Sequence, residues 1–225
     1  MSMRRFAAAG VVAGVAASVA TNVAVILGLA LATPAVAETS DAAVGEKLRT
    51  LGRASAAVKT LRAQFVQEKH LTIVRDVLRS SGTFFLDKDG AVAWYVTEPE
   101  PMRIVITKAG VFVGGKKVVG GPDGAAQNAS FSPLPMLEGL NGIFAGLSES
   151  TAEHFHVTLR GEDQVRLEPK AQALAGWVTA IEITLGGEAR MPVAVRLVEP
   201  GGDSTDIRFT DVVINPSLDD ATFAP

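Results

Sequence analysis

The sequence predicts a mainly β domain with a few helices, in which a large meandering antiparallel sheet curls toward a barrel. Three observations favour this fold class. Beyond residue 63 the chain forms short runs rich in Val, Ile, Phe and Thr, Gly and Asp turn signals separate these runs, and one amphipathic helical pattern precedes them. Because many twisted strands cannot form a flat sheet, its concave face must be covered by side chains, helices or a ligand.

The amphipathic pattern predicts a helix from about Asp41 to Arg62. Ser40 or Asp41 can cap its first turn. Steps of three, four and seven residues place its apolar side chains on one face, which needs an apolar surface to cover. These residues are Val44, Leu48, Leu51, Val58, Leu61 and Phe65.

Ten strands are predicted after this helix, joined by tight turns in which Gly and Asp adopt the required conformations. They span residues 63–71, 77–86, 91–97, 102–107, 111–113, 155–159, 165–168, 178–185, 193–199 and 205–213.

A second helical pattern spans residues 133–147. Its apolar residues are Met136, Leu137, Leu140, Ile143, Phe144 and Leu147. Three glycines interrupt it, and each costs up to about 1 kcal/mol relative to alanine in a helix. We therefore expect a short, weak, mobile helix that acts as a lid over the open side of the barrel.

Residues 1–37 have the pattern of a cleavable signal peptide. Arg4 and Arg5 precede an uncharged apolar stretch, and Ala35 and Ala37 fit the small-residue rule for cleavage between Ala37 and Glu38. An uncleaved membrane anchor is the alternative, because about 20 apolar residues can span a bilayer. We favour the signal peptide, which leaves residues 38–225 as one exported domain.

The composition excludes several classes of protein. The chain has no cysteine, which excludes disulfide scaffolds, thiolate metal sites, cysteine nucleophiles and a lipidated N-terminal cysteine. Its net charge is −3, so the basic surface of a nucleic-acid-binding protein is not expected.

Enzyme motifs are also missing from the sequence. The three histidines accompany no hydrolase or metalloprotease motif, and the His154–His156 pair lacks the carboxylate pattern of a metal site. The glycine-rich residues 114–124 lack the spacing of a phosphate-binding loop. We expect no catalytic residue, no metal and no cofactor, and we regard an unrecognised hydrolase as the weakest alternative.

Several segments, in order, resemble the outer-membrane lipoprotein carrier (LolA) family. The N-terminal half carries LRAQFVQ at 61–67, SGTFFL at 81–86, WYVTEP at 94–99 and IVI at 104–106. The C-terminal half carries VTLRGEDQVRLEPK at 157–170 and a closing segment at 207–223. The likeness extends over nearly all of residues 38–225.

This resemblance implies an incomplete, strongly curved antiparallel β-barrel, a half-barrel capped by the N-terminal helix and a short lid helix. It also implies a monomeric periplasmic carrier that shields the acyl chains of lipoproteins and moves them from the inner to the outer membrane. Its expected partners are an inner-membrane releasing transporter and an outer-membrane acceptor protein. The alternative is a lipid-sensing or envelope-assembly binding module with the same fold.

We expect the cavity and lid to be lined by a set of large apolar residues, of which some are ordinary core. The candidates are Phe65, Phe85, Trp94, Ile104, Ile106, Phe112, Leu137, Leu140, Phe144 and Trp177. By the resemblance, Lys88 occupies the position of the arginine that tethers the family's lid. Since lysine lacks the planar guanidinium fork, Lys88 is either a lid tether or a solvated turn residue, and the cargo is either lipoprotein or another acyl or polyene lipid.

Overall fold

The computed structural model describes residues 40–118, 143–144 and 146–225. The first element is helix α1, Asp41–Ser55, whose N-cap Ser40 accepts a hydrogen bond from the Ala43 amide at 3.4 Å. Val44, Leu48 and Leu51 are buried along one face of α1. This face is the one that the apolar spacing predicts.

The predicted C-terminal end of this helix is wrong. α1 ends at Ser55, not at Arg62, and strand β1 spans Thr60–His70. Leu61 and Phe65 are buried from the strand, where burial alternates with a period of two. Residues four apart share a face in a helix and also in a strand. The spacing of these two residues therefore resembled a continuation of the helix although they belong to β1.

Eleven strands lie in the described part of the chain. They are β1 (Thr60–His70), β2 (Leu78–Asp87), β3 (Ala91–Glu98), β4 (Met102–Thr107), β5 (Gly110–Val113), β6 (Lys116–Val118), β7 (Phe155–Arg160), β8 (Gln164–Pro169), β9 (Ala180–Gly186), β10 (Met191–Val198) and β11 (Ser204–Ile214). Short helices α2 (Thr151–His154) and α3 (Gln172–Ala175) precede β7 and β9, and a 3₁₀ turn spans Asp220–Thr222.

The strands form one antiparallel sheet in the order β6-β5-β4-β3-β2-β1-β11-β10-β9-β8-β7. Two meanders, β1 to β6 and β7 to β11, are joined where the first strand pairs with the last. The described strands do not close into a full barrel, because β6 and β7 remain at opposite edges. This open, mainly β architecture with an N-terminal helix agrees with the predicted half-barrel.

All ten predicted strands are present, with ends displaced by at most three residues. The eleventh, β6, is not among the ten predicted strands and lies within the glycine-rich residues 114–124. In the predicted lid helix, residues 133–142 and 145 lie outside the described residues, whereas Ile143 and Phe144 are helical.

The strand register divides the side chains between a core face and an outer face. Phe84 pairs with Trp94, and Trp94 pairs with Ile104, so these three share the core face. Phe85 pairs with Ala93 and therefore lies on the outer face.

The C-terminal segment is held against the α1–β1 connection and the sheet. Asn215 has a left-handed backbone, and its side-chain oxygen accepts a hydrogen bond from the Lys59 amide at 2.7 Å. Further on, the hydroxyl of Tyr95 donates to the Thr222 carbonyl at 2.8 Å, and the Arg103 guanidinium donates to the same carbonyl. The chain end is thereby anchored across the outer face of β3 and β4.

Candidate functional site

An aromatic cluster occupies the middle of the core face. Phe84 lies with its ring centroid 4.7 Å from that of Trp94 and 5.4 Å from that of Phe209, and Phe65 meets Trp94 edge-on at 4.9 Å. These rings come from β1, β2, β3 and β11, which are neighbours in the sheet. The cross-strand pairs Phe84–Trp94 and Phe65–Phe209 place them side by side.

Phe144, which does not belong to the sheet, packs into the centre of this cluster. Its ring centroid lies 4.6 Å from Phe84 and 5.1 Å from Phe209. Ile143 and Leu147 are buried beside it. We call Ile143, Phe144 and Leu147 the plug, because these three side chains are buried against the core face of the half-barrel.

The structure brings four of the predicted lining residues to the core face and buries them. Phe65, Trp94, Ile104 and Ile106 belong to the same buried cluster as Phe144. Leu137 and Leu140 lie outside the described residues.

Three other candidates lie elsewhere. Phe85 and Phe112 project from the outer face, where Phe85 contacts Tyr95 at 5.1 Å between centroids. Trp177 lies between α3 and β9 and is 57% exposed. The physical reason for Phe85 and Phe112 is strand parity. Their direct neighbours Phe84 and Val111 take the inward positions.

Phe84 and Phe209 are central to the cluster and were missing from the prediction. Phe84 shares its strand face with Leu86, which lies two residues further along. Alternation alone groups these residues but leaves open which group faces the core.

Lys88 lies where α1, the β2–β3 turn and the plug meet. Its ammonium donates a 2.7 Å hydrogen bond to the Ser55 carbonyl at the last residue of α1. Burial lowers the pKa of Lys88 below its ordinary value. A side chain at Gly146 would overlap the Ser55 hydroxyl, so the plug backbone packs closely against this corner.

The core face becomes polar toward the opposite end of the sheet. The Lys69 ammonium lies 3.1 Å from both carboxylate oxygens of Glu199, and the buried Thr205 hydroxyl donates to Glu199 at 3.1 Å. One end of the interior is therefore charged and hydrogen-bonded, whereas the middle is apolar.

The outer face of β8 to β11 carries a row of alternating charges around a shallow depression of about 220 Å³. Arg166 contacts Glu182 at 2.6 Å, and Arg196 contacts Asp206 at 3.1 Å. These are cross-strand ion pairs on a solvated surface, which each contribute little to stability. The depression is separate from the aromatic cluster.

Two further properties concern the described residues alone. They contain no group of three or more His, Asp or Glu side chains placed to hold a metal ion. They also contain no helix of the length and apolar character that crossing a bilayer demands.

Comparison with known proteins identifies the family. The model of the family described as "Outer membrane lipoprotein carrier protein LolA" matches residues 56–225. The chain belongs to the LolA family. The family is one of carrier or binding proteins.

One curated relative agrees with this assignment. The outer-membrane lipoprotein carrier protein of Dechloromonas aromatica is 27% identical over 173 residues, which cover 73% of this chain and 76% of that protein.

Two solved structures are also similar. A LolA superfamily protein from Nitrosomonas europaea has a TM-score of 0.43 at 7% identity, covering 78% of this chain and 96% of its own. The lipoprotein LppX of Mycobacterium tuberculosis has a TM-score of 0.42 at 9% identity, covering 80% of this chain and 99% of its own.

Proposed function

We propose that this protein is a periplasmic carrier that holds the acyl chains of lipoproteins, or of a related lipid cargo, against its aromatic core face. It shuttles them from the inner to the outer membrane and performs no chemical reaction. A cofactor has no role in this process, because transfer requires only reversible burial of apolar surface.

The observation that carries the proposal is the position of Phe144. Its ring is buried among Phe84, Trp94 and Phe209, yet it belongs to the connection between the two meanders and not to the sheet. Withdrawal of Ile143 and Phe144 would free apolar space without breaking any strand pair of the described sheet. An acyl chain entering that space gains about 0.8 kcal/mol for each buried CH₂ group.

Lys88 is the proposed latch of the closed arrangement. It binds the C-terminal carbonyl of α1, where the helix dipole favours a cation, and it lies beside Gly146 of the plug. A single hydrogen bond to a neutral carbonyl is weak enough to open reversibly. This role corresponds to the lid tether that the family resemblance implies.

Export and partners complete the proposal. Residues 1–37 act as a signal peptide that is cleaved between Ala37 and Glu38, and the released domain is a monomer. A transporter in the inner membrane loads it, and an acceptor protein in the outer membrane unloads it.

Titration with a fluorescent fatty-acyl probe tests the carrier function. Delipidated wild-type protein and Phe144→Ala are titrated in parallel. If Phe144 keeps the wild-type interior closed, the variant still reports whether that interior binds acyl chains. Saturable binding that unlabelled fatty acid displaces supports the proposal. Absence of saturable binding in both proteins overturns it.

Native mass spectrometry of protein purified from cell envelopes separates this function from a binding module. Co-purified lipid or lipoprotein supports a carrier. A stoichiometric protein partner without lipid would support the envelope-assembly module.

A further inference from the structure

The loop between β1 and β2 presents apolar side chains to solvent. This loop spans residues 71–77. Its Ile73 is 88% exposed, and Val74 and Leu78, the first residue of β2, are also exposed. Three exposed large apolar side chains grouped at one loop tip mark a candidate interaction surface. The acyl-carrier function does not account for them.

The loop is held in place by specific hydrogen bonds. The Asp203 carboxylate accepts hydrogen bonds from the Thr72 amide at 2.7 Å and from the Thr72 hydroxyl at 2.9 Å. The Val74 amide donates to the Leu71 carbonyl at 3.2 Å and closes the turn. The apolar tip is thus supported by the β10–β11 connection.

Two more exposed apolar side chains lie at the same end of the sheet. Met102 begins β4, and Trp177 lies three residues before β9. Because neighbouring strands are antiparallel, the end of β1 and the starts of β2, β4 and β9 all lie at this end. We call it the loop end.

We propose that the loop end contacts a lipid bilayer, with Ile73 and Val74 inserted among the acyl chains at its surface. This contact goes beyond the proposed carrier function, since it concerns a membrane surface and not the bound cargo.

A bilayer fits these observations better than a protein partner. A standard protein interface needs about 800 Å² from each partner, and a few side chains on a narrow loop fall far short of it. Arg75 lies exposed at the loop tip, where its guanidinium group can bind a lipid phosphate while the apolar neighbours insert. The exposed Arg79 lies just beyond it and is paired with Glu68 at 3.1 Å. Tryptophan is enriched at membrane interfaces, which suits Trp177.

Vesicle sedimentation tests this contact. The purified protein is mixed with phosphatidylethanolamine/phosphatidylglycerol vesicles and with phosphatidylcholine vesicles. We expect wild-type protein to sediment with both, and more with the anionic ones. Ile73→Asp should lower the partition coefficient at least about tenfold. The control Val213→Asp, at a 38% exposed site on the opposite end of β11, should leave it unchanged.

Tryptophan fluorescence gives an independent measurement. The chain has two tryptophans, and Trp94 is already buried in the core. Vesicle binding should therefore shift the emission of Trp177 to shorter wavelength and allow brominated lipids to quench it. Trp177→Phe should abolish this change.

Several results would overturn the proposal. These are no sedimentation of wild-type protein with either vesicle type, equal partitioning of Ile73→Asp and wild type, or a dimer in solution that Ile73→Asp dissociates. Ile73→Asp should keep the acyl-probe affinity of the wild type, so loss of membrane contact and loss of carrier function are separately visible.

Discussion

The Lys88 ammonium binds the Ser55 carbonyl at 2.7 Å and so joins the β2–β3 turn to the end of α1. Ser55 is buried, and its hydroxyl faces the backbone at Gly146. Three separate parts of the chain therefore meet at one hydrogen bond. Its loss leaves a carbonyl without its charged partner at the helix end nearest the plug.

The first prediction concerns Lys88→Met. We expect it to lower stability by about 1–2 kcal/mol, the cost of losing a hydrogen bond to a charged donor. Because the latch lies beside the plug, amide exchange at Gly146 and Leu147 should accelerate by about tenfold. Hydrogen exchange followed by mass spectrometry measures both effects.

Lys59→Met is the matched control, since it removes the same charge from an exposed side chain in the α1–β1 connection. It should leave exchange at Gly146 unchanged. Equal effects of the two substitutions would show that the positive charge matters and the contact with Ser55 does not.

The second prediction concerns the plug. Burial of the Phe144 ring contributes about 1.5–3 kcal/mol to the closed arrangement, so Phe144→Ala should raise the population of the open one. Apparent affinity scales with the competent population, and the Kd for an acyl probe should fall by about tenfold or more. Fluorescence titration measures it.

Phe85→Ala controls for the loss of an aromatic ring. Phe85 lies on the outer face against Tyr95, so its removal should lower stability without changing the Kd. Weaker probe binding by Phe144→Ala would instead mean that Phe144 clamps the cargo.

The third prediction concerns Gly82 on β2. A Cβ at this position would overlap the Tyr95 carbonyl of the neighbouring strand, at the point where the β2–β3 register shifts. Gly82→Ala should therefore cost about 3 kcal/mol or more, because backbone atoms must move. Urea unfolding measures this loss.

Gly161→Ala provides a comparison in which only backbone conformation matters. Gly161 has φ of 66° with open space around it. The expected cost is about 1–2 kcal/mol, the penalty for a left-handed alanine. Similar losses for the two variants would contradict the steric argument at Gly82.

The sheet could be predicted because its signals are local. Turn residues mark the hairpins, and alternating burial marks strands such as β2 and β7. The boundary between α1 and β1 could not be predicted, because the spacing of Leu61 and Phe65 fits both a helix and a strand. Neither could β6, whose Lys116–Val118 sequence has little apolar character and is defined by pairing with β5.

The site was predictable only in part. Trp94, Ile104 and Phe144 could be identified as large apolar residues, whereas the choice between Phe84 and Phe85 depends on the register with β1 and β3. Contacts between distant segments, such as Lys88 with Ser55, leave no pattern in the sequence. They depend on the final packing.

The fourth prediction concerns Asp203 and acid. The Thr72 amide and hydroxyl both donate to its carboxylate, which holds the pKa of Asp203 below its ordinary value. A group with a lowered folded-state pKa stabilises the protein fully above its unfolded pKa, and this contribution is lost as the pH falls through the folded value. The stability difference between wild type and Asp203→Asn should therefore be constant above about pH 4 and vanish in stronger acid.

Urea unfolding from pH 7 to pH 2.5 measures this difference. Asp76→Asn is the control, because Asp76 is exposed in the same loop and has no hydrogen bond or ion pair within the described ranges. A pH-independent difference for Asp203→Asn would contradict the role of the charge. Asp203 also supports the loop tip that carries Ile73. Asp203→Ala should therefore weaken vesicle partitioning, whereas Asp76→Asn should not. This difference would connect the hydrogen bonds at Thr72 to membrane contact.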